Sequence, residues 1–374
     1  MQETTILAPL DHIPAEVCCA QDYESLAERF IAKDRFNYIA NGSGKDLSLR
    51  RNRSAFEQLA LQPRLLQDMS TSKTDIKFAE ADLSVPFMLA PVAYQKLVHP
   101  DGELATAHAA DAMGIGLISS TLASVKLEET APSEPGAIRW FQLYAQDSEE
   151  ATLHLLQRAL LSGYQAIMLT LDTPLQAPSH QTLRSGFQMP KELQPVNLSD
   201  YPNNGVQSAG AAGIFQQHVQ KAVSLELLKK IIAISHVPVW AKGIMSTEDA
   251  TYLKDLGIAG IVVSNHGGRA LDGVPASLTV LPDIRQALGD DYPILFDSGI
   301  RSGADIFKAI ALGADAVLIG RLQVYALSIA GALGVAHLIK LLKEELEYTM
   351  AMTGCRTIQE IRHANLRKLG TPLC

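Results

Sequence analysis

The chain has 374 residues, enough for one large domain or two smaller ones. Length alone does not fix the number of domains, because α/β barrels exceed about 250 residues as single units. Hydrophobic residues make up 47% of the sequence and charged residues 19%, which excludes an intrinsically disordered chain. The net charge of −8 argues against a protein that binds nucleic acid or another polyanion.

Four cysteines are too few for a disulfide framework in a chain of this length and fit a reducing compartment. The first residues show no basic region followed by an apolar run, so no secretory signal is predicted. The most apolar long stretch, Val324 to Ala336, has 13 residues and is too short to span a bilayer. We therefore expect a cytoplasmic protein without a membrane segment, and no metal site is predicted.

Residues 1–60 are predicted to form a peripheral helical segment, with Tyr23–Ile31 as one candidate helix. Beyond this segment, short apolar and β-branched runs recur and predict eight strands, with amphipathic stretches between most of them. No glycine pattern of the dinucleotide-binding type follows any of the predicted strands. The predicted strands are Phe87–Pro91, Ile115–Ser120, Ile138–Tyr144, Ala166–Asp172, Val237–Lys242, Gly260–Asn265, Pro293–Asp297 and Ala316–Gly320.

The alternation of strands and helices indicates parallel strands, because a parallel crossover needs a dozen or more residues. Eight such units favour a TIM (β/α)8 barrel over an open sheet. The gap between the ends of the fourth and fifth strands, Thr170 to Lys242, exceeds the other gaps by about 40 residues. Such a segment is typical of a lid. We predict a lid loop over residues 175–220 within a single domain that covers residues 1–374.

The predicted strands end in polar residues, and in a barrel the carboxyl ends of the strands build the active site. Any one of these residues could instead be an ordinary loop residue or helix cap, but eight polar ends together indicate a functional site. They include Gln142, Tyr144, Thr170, Asp172, Lys242, Ser264, Asp297, Gly299, Arg301, Gly320 and Arg321.

The seventh and eighth strand ends favour a phosphate site. Glycine lets the backbone approach an anion closely, and barrels often bind phosphate after strands seven and eight. Arg301 and Arg321 follow Gly299 and Gly320 there and would add charge and forked hydrogen bonding. The phosphate could belong to a substrate or to a cofactor.

The sixth strand end carries the sharpest signal, Ser264-Asn265-His266-Gly267-Gly268-Arg269. His266 is a candidate base because imidazole titrates near neutral pH, and Arg269 could hold an anionic substrate group beside it. Asp172 could orient His266. Lys242 could form a Schiff base, act as a base or supply a fixed charge beside a cofactor.

This segment, continued by Ala270-Leu271-Asp272, resembles the signature of the FMN-dependent α-hydroxy acid oxidase/dehydrogenase family, which includes glycolate and lactate oxidases. The resemblance runs from about Tyr23 to Glu360. Its other matching segments are Pro91-Val92-Ala93, Gln95-Lys96, His99-Pro100, Phe141–Tyr144, Leu169–Pro174, Ala241-Lys242-Gly243, Asp297–Arg301 and Ile319-Gly320-Arg321.

The resemblance implies a barrel with FMN across its strand ends. The FMN phosphate would meet Gly299, Arg301, Gly320 and Arg321. The flavin ring would contact Pro91, Val92, Ala93, Ser119, Gln142 and Thr170, and the cofactor site would also include Ser264 and Asp297. Lys242 would lie near the flavin N1 and O2 and stabilise the negative charge of the reduced ring.

The resemblance also implies roles toward the substrate. His266 would remove a proton, either from the α-carbon or from the hydroxyl group, and Asp172 would stabilise the resulting imidazolium. Tyr144 would hydrogen-bond the reacting hydroxyl, while Tyr38 and Arg269 would bind the carboxylate.

Two departures from the family pattern bear on the substrate. Where the family usually has a glycine and then an arginine after Asp-Thr-Pro, this chain has Ala177 and Ser179. An aromatic residue of many relatives is replaced by Thr121. Because an arginine–carboxylate pair is a strong polar contact, we predict a substrate bulkier than glycolate or lactate, or one whose acid group is masked. Arg184 could swing in from the lid loop and restore the charge.

The resemblance to oxidases favours O2 as the electron acceptor, with Ala93 at the place where the family tunes oxygen access, and a homotetramer is expected by analogy. Other readings stay open. A dehydrogenase would use another acceptor, and another FMN barrel enzyme, such as an isomerase of isoprenoid diphosphates, would not need the His266–Asp172 pair. A barrel that only binds a phosphorylated ligand and a relative without activity are further alternatives.

Overall fold

Eight parallel strands close into a barrel in the computed structural model, which describes residues 6–79, 81–132, 136–201 and 213–369. Each strand pairs with its neighbours in chain order, and β8 pairs with β1. The predicted (β/α)8 fold is confirmed. The strands are β1 (Phe87–Leu89), β2 (Leu117–Ser120), β3 (Arg139–Leu143), β4 (Ala166–Thr170), β5 (Val239–Ile244), β6 (Gly260–Val263), β7 (Ile294–Phe296) and β8 (Ala316–Ile319).

Helices precede the barrel and alternate with its strands. Serine side chains fix the starts of several helices; Ser148, Ser246 and Ser302, for example, each accept a hydrogen bond from a backbone N–H of the first turn. The helices are α1 (Asp22–Ala27), α2 (Lys33–Ala40), α3 (Leu47–Glu57), α4 (Glu103–Ala112), α5 (Glu149–Leu161), α6 (His180–Ser185), α7 (Ile214–Lys221), α8 (Leu225–Ile234), α9 (Thr247–Asp255), α10 (Ser277–Leu288), α11 (Gly303–Ala311), α12 (Arg321–Thr353) and α13 (Ile358–Ile361).

The amino-terminal end of the barrel is closed by aromatic packing. Trp140 and Trp240 lie near the starts of β3 and β5 with their ring centroids 4.9 Å apart. Phe78 packs on both rings from an antiparallel pair of short strands, Ile76–Phe78 and Ala81–Leu83. The barrel interior is therefore filled at this end, and a site can open only at the carboxyl end of the strands.

The apolar run Val324 to Ala336 belongs to a longer element than predicted, the 33-residue helix α12. By length and hydropathy alone α12 could cross a membrane, but 78% of its most apolar window is buried in the protein. The helix also departs from helical geometry at Ala330 and Gly331. Its apolar surface packs on α1, α4 and α11, which accounts for its composition as a core helix.

The N-terminal segment carries helices α1, α2 and α3 and is attached to the loops of the barrel. Asn52 of α3 and Asn265 exchange two side-chain hydrogen bonds of 2.8 Å, and both residues are buried. Arg53 donates to the carbonyl of Gly299 and pairs with Asp305 at 2.9 Å. The segment therefore holds the loops after β6 and β7, a role that sequence periodicity does not reveal.

The described part of the predicted lid loop, residues 175–201 and 213–220, contains α6 and most of α7 and is less irregular than expected. Its residues 202–212 lie outside the described residues. The part from Pro178 to His180 pairs with Gly44, because Gly44 N donates to Pro178 O at 3.1 Å and His180 N donates to Gly44 O at 3.1 Å. The loop is thereby attached to the N-terminal segment beside the strand ends.

Candidate active site

All eight strand ends contribute to one open cavity with about 1260 Å³ of empty space, its mouth included. Its polar lining comes from the positions that the sequence singled out. The predicted residues that line it are Tyr38, Pro91, Val92, Ala93, Gln142, Tyr144, Thr170, Lys242, His266, Arg269, Asp297, Gly299, Arg301, Gly320 and Arg321.

His266 and Asp172 form a hydrogen-bonded pair at the edge of this cavity. The His266 Nδ1 atom lies 3.0 Å and 3.2 Å from the two carboxylate oxygens of Asp172. Asp172 does not line the cavity itself, so it acts from behind the ring and leaves Nε2 for a ligand. Burial raises the pKa of Asp172, but the charge and hydrogen bond of His266, together with Lys242, outweigh it and lower the pKa below its usual value.

The backbone of His266 is held in the left-handed region, with φ +59. The Ser264 hydroxyl accepts a hydrogen bond from the His266 N–H at 3.0 Å, and Gly267 follows with φ +62. A histidine rarely adopts this conformation, and such strain collects at functional sites. The two glycines seen in the sequence therefore serve to turn the chain sharply after β6.

Lys242, on β5, is buried and holds its charge. Its Nζ lies 2.9 Å from Asp297 Oδ2 and donates to Ser264 Oγ at 2.8 Å. Burial alone would lower the pKa of Lys242, but the carboxylates of Asp297 and Asp172 raise it above the usual value. Among the three roles that the sequence left open, this environment favours a fixed positive charge, because a nucleophilic or basic lysine needs a lowered pKa.

Three tyrosines and Arg269 form the outer part of the cavity. Arg269 donates to the backbone oxygens of Tyr38 at 2.7 Å and Asn41 at 3.1 Å, and its guanidinium lies 5.0 Å from the Tyr38 ring centroid. Burial raises the pKa of Tyr144, so its hydroxyl remains a donor at neutral pH. The third tyrosine, Tyr94, was not predicted, although it stands between the matching segments Pro91-Val92-Ala93 and Gln95-Lys96.

Tyr94 has two features that are common at functional sites, a left-handed backbone and a shifted pKa. Its backbone is left-handed, with φ +53, and burial together with Tyr38 and Tyr144 raises its pKa to about 12. Other cavity residues that sequence reasoning missed are Ile39, Ser120, Leu122, Gln176 and Ser298. Their signal was weak because apolar and small polar residues at loop positions are common.

The opposite end of the cavity fits a phosphate group. Gly320 begins α12 without a side-chain cap, and a Cβ atom placed on it would meet no heavy atom within 4 Å. The bare backbone and the positive end of the helix thus face open space. Burial and the charge of Arg269 lower the pKa of Arg321 to about 10, which marks a surplus of positive charge that a bound anion would offset.

Arg301 lines the cavity, but its side chain is already paired. Its Nε donates to Glu24 Oε2 at 2.6 Å and its NH2 group to Oε1 at 3.2 Å. Its NH1 group donates to its neighbour Ile300 O. A carboxylate from α1 thus holds this guanidinium at the cavity surface, and nothing local in the sequence announces that partner. The contact of Arg301 with phosphate stays a prediction.

Ser119, which was predicted to contact the flavin ring, does not line the cavity. Its hydroxyl lies 3.2 Å from Tyr164 Oη, whereas Ser120 lines the cavity. Successive strand residues point to opposite faces, so an error of one position reversed the assignment. Ser264 is also absent from the cavity lining, and its hydroxyl accepts hydrogen bonds from Lys242 Nζ and the His266 N–H.

Thr121, the position at which many relatives have an aromatic residue, does not line the cavity. The residue is fully buried, and its hydroxyl donates to Gln142 O at 2.6 Å. Leu122 faces the cavity instead. Thr121 thus orders β3 beside Gln142, whose Nε2 donates to Thr170 Oγ1 at 3.1 Å.

The positions of the missing glycine and arginine border a separate side chamber. Ser179 caps α6 by accepting a hydrogen bond from Thr182 N, and Arg184 is exposed and lines neither space. The side chamber adjoins the main cavity at Tyr38, Gln176 and Arg269. Its lining is Tyr38, Gly42, Gln176, Ala177, Pro178, Ser179, Thr182, Leu183 and Arg269.

Residues 27–368, almost the whole chain, match the FMN-dependent dehydrogenase family. The chain belongs to this family. It is 49% identical over 370 residues to an L-lactate oxidase of Alicycliphilus denitrificans, covering 98% of this chain and 100% of that protein. It is 36% identical to glycolate oxidase 3 of Arabidopsis thaliana, covering 94% and 96%.

A solved structure of a mandelate oxidase variant with 2-hydroxy-phenylacetamide superposes with a TM-score of 0.86 at 37% identity, covering 94% of this chain and 99% of that one. The family membership confirms the predicted resemblance and FMN as the cofactor. It agrees with the predicted enzyme class, an FMN-dependent 2-hydroxy acid oxidase.

FMN fits the donors found here. The uncapped start of α12 and Arg321 would hold its phosphate, and Gln142, Thr170 and Lys242 would face its ring. Within the described part of the chain, no group of three His, Cys, Asp or Glu side chains could hold a metal ion.

Proposed function

We propose that this protein oxidises an L-2-hydroxy acid to the 2-oxo acid and passes the electrons to O2, with H2O2 as the second product. The observation that carries the proposal is the His266–Asp172 pair, which faces the same cavity as the buried Lys242 charge. An acid–base histidine next to a fixed positive charge suits removal of a proton together with transfer of two electrons to an acceptor that becomes negative.

His266 takes up the proton in this proposal. Asp172 holds Nδ1, so the Nε2 atom is the one that receives a proton from the substrate, and the carboxylate stabilises the imidazolium. FMN, when bound, would accept the two electrons and the second hydrogen that leave as the hydroxyl-bearing carbon becomes a carbonyl. The Lys242 charge stabilises the negative charge that follows the electrons.

Substrate orientation falls to the outer residues. Tyr144 stays protonated and donates a hydrogen bond to the reacting hydroxyl. Arg269 and Tyr38 lie together and provide a cation and a phenol for the carboxyl group. Because these groups line the same cavity as His266, we infer that one bound acid reaches all of them.

Oxygen as the acceptor is supported by the names of the relatives, which are oxidases. The test is to reduce the bound flavin with L-lactate without oxygen and then admit air. An oxidase reoxidises within seconds and forms one H2O2 per substrate, measured with a peroxidase-coupled dye. Slow reoxidation without peroxide would instead show a dehydrogenase with another acceptor.

A second substrate class is favoured by the side chamber. It opens beside Tyr38 and Arg269, the residues proposed for the carboxyl group, and small residues stand where the family pattern has an arginine. A bulky substituent or a masked acid such as an ester or amide would fill this space. Initial rates on L-lactate, L-mandelate and their methyl esters decide between the classes, and fastest turnover of free lactate would reject this one.

We also propose a cytoplasmic homotetramer. The location is supported by the free cysteines Cys18, Cys19 and Cys355, and the assembly by analogy with the family. Light scattering during size exclusion should give four times the chain mass of 40.4 kDa. A monomeric mass would contradict the assembly, and recovery of the protein in a membrane or secreted fraction would contradict the location.

A further inference from the structure

The Tyr38 ring is held between the barrel and the lid loop. Phe187, just after α6, stacks on it with the ring centroids 4.5 Å apart and the planes at 17°. The Arg269 guanidinium, from the loop after β6, lies 5.0 Å from the same centroid. Phe187 lines neither the main cavity nor the side chamber, whereas Tyr38 lines both.

The helix that carries Tyr38, α2, packs against the core through Phe36 and Ile39, whereas Tyr38 is not among the residues of that contact. No residue of α2 is buried, and Tyr38 itself is half-buried. The hydrogen bonds near Tyr38 reach backbone oxygens of α2. One of them is donated by Thr182 Oγ1 to Asn37 O at 3.3 Å. The orientation of the Tyr38 ring therefore depends on the groups stacked against it, since a surface side chain without such contacts populates several rotamers.

Phe187 is directed to this place by the end of α6. Gly186 adopts the left-handed conformation, φ +69, that terminates a helix and reverses the chain direction. The bridge between Gly44 and Ser179 anchors the other end of the helix. Helix α6 is thus attached to the N-terminal segment at both ends. One attachment is the backbone bridge at Ser179, and the other is the stacking of Phe187 on Tyr38.

We propose that Phe187 is a positioning residue for substrate binding, acting through the Tyr38 ring. By stacking on that ring it fixes the phenol beside Arg269, where the carboxyl group or its masked form is bound. This inference rests on the proposed function, because it assumes that Tyr38 and Arg269 face the substrate. It adds a residue outside the cavity to those that set affinity.

The decisive variant is Phe187→Leu, which keeps an apolar side chain but removes the aromatic stack. We expect KM and the dissociation constant of the 2-oxo product, read from the flavin absorbance, to rise about 3- to 10-fold. The limiting rate of flavin reduction should change less than about twofold, because His266 and Asp172 are untouched. Phe187→Tyr, which restores the ring, should return both constants to the parent values.

Phe215→Leu is the matched control, since it makes the same change at an exposed position of the lid loop. The effect must also vanish in a Tyr38→Leu background if Phe187 acts through that ring. Product affinity within about 1.5-fold of the parent for Phe187→Leu, or an equal loss with and without the Tyr38 ring, would overturn the inference.

A readout without turnover separates this inference from the proposed function. Arg184 and Lys191 flank Phe187, and trypsin should cleave there faster in Phe187→Leu than in the parent or in Phe215→Leu. A parent that reduces no flavin with any 2-hydroxy acid rejects the proposed function. Equal cleavage rates in all three proteins reject the stacking role, whatever the substrate.

Discussion

Gly243 leaves the space that the Asp172 carboxyl group occupies. A Cβ atom placed on Gly243 would overlap both Cβ and Cγ of Asp172, and the backbone there has φ +99. The glycine after Lys242 therefore brings two elements together: it lets the residues after β4 pack on β5 so that Asp172 reaches His266 Nδ1 at 3.0 Å.

The first prediction is that Gly243→Ala slows flavin reduction by at least about tenfold, because a displaced Asp172 no longer orients His266. The left-handed backbone should also cost about 1–3 kcal/mol of unfolding free energy. Gly257→Ala separates the two effects, since Gly257 has φ +90 but no atom near its Cβ position. Anaerobic stopped-flow and urea unfolding measure them, and equal reduction rates in the two variants would contradict the positioning role.

The second prediction is that His266→Ala lowers the rate of flavin reduction by about 10²- to 10⁴-fold, the usual contribution of a general base. Bound FMN should remain, visible as an unchanged yellow absorbance. His266→Asn provides a second variant, because asparagine tolerates the left-handed backbone found here, φ +59. A rate within tenfold of the parent in both variants would remove His266 from the reaction.

The third prediction concerns the phosphate end of the cavity. Burial and Arg269 lower the pKa of Arg321, so a bound anion relieves an unfavourable charge. Arg321→Met should raise the dissociation constant of FMN about 10- to 100-fold, as loss of a charged hydrogen bond does. Fluorescence titration of the apoprotein measures it. Arg50→Met, on the exposed face of α3, should bind FMN like the parent.

The fourth prediction concerns acid stability. Since His266 lowers the folded-state pKa of Asp172, the pair stabilises the fold fully above the unfolded value of about 3.9 and loses this as pH falls through the lower folded value. Melting temperatures from pH 6 to pH 3 should therefore fall less steeply for Asp172→Asn than for the parent. An equally steep decline would show that Asp172 does not contribute.

Local patterns were sufficient for the barrel and for much of its rim. β-Branched runs and amphipathic stretches follow from contacts within a few residues, and parallel connectivity places all carboxyl strand ends together. His266, Lys242 and Asp297 could thus be assigned to one cavity before any distance was known. The motifs around these residues resemble those of the family and thereby predicted FMN as the cofactor.

Sequence reasoning fell short where the direction of a side chain, or a partner distant in the chain, determines what a residue contacts. Ser119 and Ser120 are equivalent in composition, and only the pleat of β2 turns one toward the cavity. The pairing of Arg301 with Glu24, from α1, could not be predicted, because the two residues are far apart in the chain.

The sequence by itself determined the strand count, the polar rim and the chemistry of the base, because these depend on residue type and local periodicity. Only the tertiary structure decided that Asp172 stands behind His266, that Asn52 holds Asn265, and that Phe187 stacks on Tyr38. Each of these joins residues far apart in the chain, and their contact depends on how the whole barrel and its attached segments pack.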